Sequence, residues 1–277
     1  MVKDPYTYEN GVLINKLGIK DEVRLKRAEA DITFSKLLTA YTTDFSYDGL
    51  MNLHKHILGD IYPFAGEIRT IPIVKSEAIL GGDTVRYSFP NEIKSQGEAA
   101  IKELNNKDWS KLNIDETAKE FSKLTAKLWQ VHPFREGNTR TIITFVSEFA
   151  KTHGFELDIN LLRQNSGYVR NALVKASDGQ YAETGYLEKI IKDSIITCEN
   201  SIKKEITNAG FKPTDKLIDG IKAINKSFGK LHSVKEIKEL YEHKNELAPD
   251  QKETIDKTVK DFKSQELSKV HEMAVER

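Results

Sequence analysis

Apolar residues recur at intervals of three and four along nearly the whole chain, and that spacing commits the chain to helices that each bury one face. In residues 21–39, Leu25, Ala28, Ile32, Leu37 and Leu38 follow it, with Asp21 as the expected N-cap. In residues 46–58, Tyr47, Leu50, Leu53 and Ile57 share a face. Helical patterns continue at 91–106 and at 114–131, where Asp115 is the expected cap and Ala118, Phe121, Thr125, Leu128 and Val131 line one side. Residues 139–153 are apolar around most of the helix circumference, which predicts a central, buried position, and Gly154 is a natural stop. Further helices fit 159–176 and 183–207.

One window departs from this period. Residues 66–90 (GEIRTIPIVKSEAILGGDTVRYSFP) are rich in β-branched and aromatic side chains, and Gly81-Gly82-Asp83 tolerates positive φ. The pattern predicts a β-hairpin of about 68–75 with 84–89. Gly210 and Pro213 then mark a boundary before a Lys/Glu-rich tail, residues 211–277. The tail carries its own stripes: Leu217, Ile218, Ile221, Ile224 and Phe228; Leu231, Val234, Ile237 and Leu240; and Ile255, Val259, Phe262 and Leu267. Ser233 and Glu236 have capping-box spacing. A helical appendage dispensable for folding of the rest is the expectation.

Composition removes several function classes. The 277 residues hold 42 Lys+Arg against 42 Asp+Glu, so no broad basic surface for nucleic acid or anionic membrane is expected. No apolar run approaches the ~20 residues of a membrane span. The first residues lack the apolar stretch of a Sec signal. The single Cys198 excludes an internal disulfide and a cysteine-cluster metal site. A cytoplasmic protein is expected, with export as an effector by a route without an N-terminal signature as the alternative.

The chemistry concentrates in His132-Pro133-Phe134-Arg135-Glu136-Gly137-Asn138-Thr139-Arg140, between two strong helical patterns. Pro133 ends the first helix, and Gly137 and Asn138 accept unusual backbone angles. Consecutive N–H groups at the start of the next helix form an anion nest, to which Arg140 adds a cation. Glu136 offers a hard oxygen for Mg²⁺, which commonly takes one or two carboxylates together with substrate phosphates. His132 is the side chain suited to accept a proton near neutral pH. A base, a metal ligand, a phosphate cradle and an arginine in nine residues point to chemistry on a phosphoanhydride. The other six histidines read as surface or helix-packing residues.

HPFREGNTR resembles the active-site motif of the Fic family, HPFx(D/E)GNxR followed by a second Arg three residues on. The segments IYPFAGEIRTIPI and NKLGIKDEVRLKRAE are similar to the approach to that family's flap and to its N-terminal helix. The resemblance covers about residues 1–205. It implies an all-α Fic core with a small β-hairpin flap, here a domain of residues 1–210 with a flap at about 66–90, an active-site loop at 132–140 and the appendage 211–277. It further implies AMP transfer from ATP to a hydroxyl of a target protein. In that reading His132 is the general base, Phe134 anchors the loop, and Glu136 holds Mg²⁺. Gly137, Asn138 and Thr139 cradle phosphate, with the Asn138 side chain on a phosphate oxygen, and Arg140 neutralises the leaving pyrophosphate. Lys75, near the flap tip, reaches a phosphate or is simply solvated. The target docks on the flap by strand addition.

Two positions depart from the motif: Thr139 stands where Gly is usual, and Ile143 where the second Arg is expected. Many relatives carry an inhibitory (S/T)xxxE(G/N) helix. Imperfect matches end at Glu205 (from Ser201) and at Glu199 (from Ile195), while Leu25-x-x-x-Glu29-Ala fails at both ends. A homo-oligomer, a separate inhibitory protein or the N-terminal helix is the other source of control. Two rivals stay open: a Fic enzyme that transfers another phosphate-containing group or removes AMP, and a catalytically weak module that binds nucleotide or a partner.

Overall fold

The computed structural model describes residues 4–228 and 232–275, with side chains up to residue 268; Leu231 lies outside the described residues. The described residues form eleven α-helices and no sheet: α1 Glu22–Leu38, α2 Tyr47–Leu58, α3 Ile93–Asn106, α4 Ile114–Val131, α5 Asn138–Thr152, α6 Ile159–Gln164, α7 Ser166–Ala176, α8 Gly185–Asn208, α9 Asp215–Phe228, α10 Val234–Glu242 and α11 Pro249–Val275. The all-α expectation holds. Two compact units divide the chain, the first of Met1–Phe149 with Ile159–Ile191, the second of Ala150–Asp158 with Lys192–Arg277.

In the first unit α1 packs on α2, α2 on α3, α3 on α4, and α4 on α7. Residues 141–149 of α5 are buried without exception, as its apolar circumference demands. Phe45 meets Phe145 and Phe149 edge to face at 5.7 and 5.4 Å, and Trp109 meets Phe121 at 5.5 Å. Each fully buried Phe is worth roughly 1.5–3 kcal/mol, so this cluster fixes α4 and α5 as the scaffold beneath the loop that joins them. The cap of α4 is Asn113 rather than Asp115: Asn113 accepts from Glu116 N–H, and the Glu116 carboxylate accepts from Asn113 N–H in return. The helical pattern at 159–176 breaks at Asn165 into α6 and α7, so that α7 starts afresh at Ser166.

The expected hairpin at 68–89 does not form strands; the one β-bridge among the described residues joins Thr7 and Leu13. The reason lies in where this backbone spends its hydrogen bonds. Arg69 N–H goes to Pro133 C=O, outside the segment. Lys75 N–H goes to the Thr84 hydroxyl, while Glu77 N–H to Asp83 C=O and Gly82 N–H to Glu77 C=O close a tight loop around the 3₁₀ turn Ala78–Leu80. The two arms are matched, but by single bonds and side chains instead of a ladder.

In the second unit, Ile202 and Ile206 of α8 and Phe211 share one core with Leu217, Ile218, Ile221 and Ile224 of α9, Val234 and Ile237 of α10, and Ile255, Val259 and Phe262 of α11. The stripes read from the tail therefore have partners. The Gly210–Pro213 break lies inside this unit, and the tail's core extends upstream of residue 211 into α8.

Candidate active site

The site grows from the end of α4. Pro133 has no N–H and disfavours helix in the residue before it, so His132 leaves the helix in the left-handed region, at φ 48° and ψ 59°. For a non-glycine residue that conformation costs about 1–3 kcal/mol and must be held by its surroundings. Arg69 holds it. Only 1% exposed, Arg69 donates from Nε to His132 C=O at 2.8 Å, from Nη1 to Ile71 C=O at 2.7 Å and from Nη2 to Ser88 C=O. One guanidinium thus ties both arms of the 69–88 segment to the loop.

The His132 side chain is 2% exposed. Tyr87 lies against its ring at 4.1 Å and Trp129 meets it edge to face at 5.2 Å. Lys75 Nζ stands 3.4 Å from Nε2, and Nδ1 has no hydrogen-bond partner. Burial first, then the cations Lys75 and Arg69, hold the His132 pKa well below the ordinary histidine range. The imidazole is therefore neutral, the form that accepts a proton. Burial likewise lowers the Lys75 pKa. Lys75 is thus placed on the base and not out in solvent.

The rest of the loop is braced from two sides. Phe134 is fully buried and stacks on His54 at 3.6 Å. His54, also buried, donates from Nε2 to Glu136 C=O at 2.9 Å, and Gly66 N–H donates to its Nδ1 at 2.8 Å. Both contacts suit one neutral tautomer, and burial takes its pKa down to about 4. Asn138 uses both ends of its amide inside the loop: Phe134 N–H donates to Oδ1 at 3.0 Å and Nδ2 donates to Phe134 C=O at 2.7 Å. The Asn138 amide thus helps build the loop. Gly137 sits at φ 77°, and a Cβ there would lie 2.1 Å from Leu58 Cδ1, so only glycine fits.

Around the mouth, the first turn of α5 leaves N–H groups without intrahelical acceptors. Glu136 turns one carboxylate oxygen back to Gly137 N–H at 2.9 Å. No cluster of three or more His, Cys, Asp or Glu side chains exists among the described residues, so a metal here would draw its remaining oxygens from substrate and water; a single loop carboxylate fits Mg²⁺ on those terms. Thr139 places its hydroxyl on Trp129 Nε1–H at 2.9 Å, which pins α5 to α4. Arg140 donates to the Thr33 hydroxyl at 3.0 Å and is ion-paired with Glu29, whose other oxygen takes the Tyr62 hydroxyl. Ile143 is buried. A cavity of about 350 Å³ runs from His132 and Glu136 past Arg140 and Lys75 to Ser166 and Arg170 on α7.

Residues 44–150 match the model of the Fic/DOC family. The chain carries a Fic domain. Along that domain and its flanks the chain is 28% identical over 199 residues to the protein adenylyltransferase VbhT of Bartonella schoenbuchensis, covering 69% of this chain but 39% of VbhT. It is 28% identical over 187 residues to the probable protein adenylyltransferase y4lH of Sinorhizobium fredii, covering 65% of this chain and 92% of that protein. Among solved structures, BepC of Bartonella tribocorum with bound AMPPNP superposes at a TM-score of 0.58 with 21% identity, covering 68% of this chain and 95% of that one. That likeness establishes the fold.

The sequence motif located the Fic loop, and the structure brings His132, Glu136, Gly137, Thr139, Arg140 and Lys75 to one cavity. Within the second unit, Glu199 is ion-paired with Lys222, and Glu205 accepts from Val234 N–H at 3.4 Å. The carboxylate on Arg140 belongs to Glu29. His54, Arg69 and Tyr87 were missed as site residues. His54 had one available signal, since it interrupts the buried stripe Leu50, Leu53, Ile57 with a polar ring.

Proposed function

We propose that this chain is a protein adenylyltransferase that moves AMP from ATP to a Ser, Thr or Tyr hydroxyl of a target protein. The observation that carries the reading is a neutral, buried His132 at one end of a cavity whose wall is the open first turn of α5 with Arg140. The target oxygen attacks the α-phosphorus while its proton passes to Nε2 of His132. The bond from that phosphorus to the bridging oxygen breaks, and pyrophosphate leaves with the electron pair. Lys75 beside Nε2 keeps the imidazole unprotonated until then. The amides of Asn138 and Thr139 face phosphate oxygens, and Arg140, once released from Glu29, meets the leaving charge. Mg²⁺ bound by Glu136 would supply charge neutralisation across the phosphates. The activity comes to this chain from relatives named protein adenylyltransferases at 28% identity, and the target protein from the same reading.

A second reading is favoured by one observation: Arg140 is engaged by Glu29 and Ile143 offers no second cation, which suits a module that binds nucleotide with weak turnover. Incubation with α-labelled and γ-labelled ATP separates the readings. Label retained on protein from the α-phosphate alone supports AMP transfer; label from the γ-phosphate shows phosphate transfer; nucleotide binding without retained label shows the weak module.

A further inference from the structure

Two flap residues touch the base. Lys75 Nζ lies 3.4 Å from Nε2 and the Tyr87 ring lies 4.1 Å from the imidazole. Between them in the chain stands Glu77, and the loop closes on it. Its N–H donates to Asp83 C=O, and its C=O accepts from Gly82 N–H and Leu80 N–H. Its carboxylate is 3% exposed and leaves the flap altogether, meeting Arg170 of α7 through two parallel bonds of 2.7 and 2.8 Å. The Tyr87 hydroxyl points at the same carboxylate from 3.5 Å. Val74, next to Lys75, is 79% exposed, while Ile71 and Ile73 of the same arm are half-buried. The Glu77 side chain is buried while that of Arg170 is 38% exposed, so losing Arg170 leaves a buried charge unpaired, and losing Glu77 frees the arginine to solvent.

We propose that the Glu77–Arg170 pair is a latch that positions the base, setting the flap against His132 through Lys75 and Tyr87. Glu77 and Arg170 are positioning residues in this role, and their effect on transfer rests on the AMP-transfer reading above. The latch itself does not rest on it. Glu77 is anchored by its own main chain to the loop tip, and Arg170 is anchored in a helix that packs on α4, the helix His132 ends. The loop tip is thereby referred to the frame of the base by this ion pair, while Arg69 fixes the roots of the two arms. The cavity that would take the nucleotide also reaches Arg170, so the latch stands where occupancy of the site is felt.

The test uses the full chain and amide hydrogen exchange over residues 74–88, which needs no activity. Glu77→Gln and Arg170→Met should each speed exchange of that segment by at least ~10-fold, with the remaining helices unchanged. The double variant should exchange no faster than the quicker single variant, since the two residues act as one unit. At saturating ATP, Glu77→Gln should slow self-labelling by roughly 10- to 100-fold, while half-saturation by ATP stays as in the wild type. Unchanged exchange in both single variants, or additive effects in the double variant, would overturn the latch. Faster exchange with an unchanged labelling rate would overturn its role in positioning the base. If the wild type transfers no label at all, the AMP-transfer reading fails, and the exchange cycle alone decides whether the latch exists.

Discussion

Arg140 shows how one residue's surroundings decide what it can do. Its guanidinium is held by Glu29 from α1, with Glu136 at 3.8 Å. A nucleotide phosphate must displace Glu29 to use that cation, and like charges in a partly desolvated site repel. Glu29→Gln should therefore raise self-labelling with α-labelled ATP; the rate measured beside the wild type checks this. A second consequence concerns the buried imidazoles. Folded His54 titrates at about 4 and folded His132 well below 6.5, while both titrate near 6.5 when unfolded. Below 6.5 the unfolded chain binds more protons, so stability falls as pH drops from about 6.5 to 4, with about 3 kcal/mol from His54 alone. Urea midpoints at pH 7 and pH 4.5 measure it, and equal midpoints would contradict the burial of neutral rings. The motif itself was legible because its residues are neighbours in sequence. His54 and Glu29 were not, because their contacts to Glu136 and Arg140 span 82 and 111 residues and leave no local pattern.

At the scale of elements, the helices follow from the spacing of their apolar residues, and the flap does not follow from its composition. Ile71, Ile73, Val74, Val85 and Tyr87 have strand preferences, yet a strand needs a neighbour that accepts its whole ladder. Here Arg69, Thr84 and Glu77 satisfy the backbone piecemeal, and no spacing rule foretells that a buried arginine will collect three carbonyls. Arg69→Met should strand those carbonyls and free His132 from its left-handed conformation. A loss of roughly 3 kcal/mol or more is expected, read as a lower urea midpoint, together with loss of labelling. A variant as stable as the wild type would show that the arms are held by other contacts.

For the whole molecule, the boundary between the two cores is the point at issue. Gly210 and Pro213 suggested a cut before the tail, but Ile202, Ile206 and Phe211 lie in the same core as α9, α10 and α11. Removing residues 213–277 would uncover those side chains, so the shortened chain should bind an apolar dye and aggregate, while the full chain does neither. A soluble, dye-silent product would instead support a domain boundary at Gly210–Pro213. The spacing of apolar residues revealed each tail helix, and it could not reveal that α8 joins their core, because shared burial is a property of the packed unit. The central claim, that this chain transfers AMP with His132 as base, is tested most directly on the full chain with α-labelled ATP, comparing wild type and His132→Ala. Proton acceptance in such a step contributes ~10²–10⁴-fold. The variant should keep nucleotide binding and cooperative melting and lose retained label by at least about 10²-fold. Label retained at the wild-type rate in His132→Ala would contradict the claim.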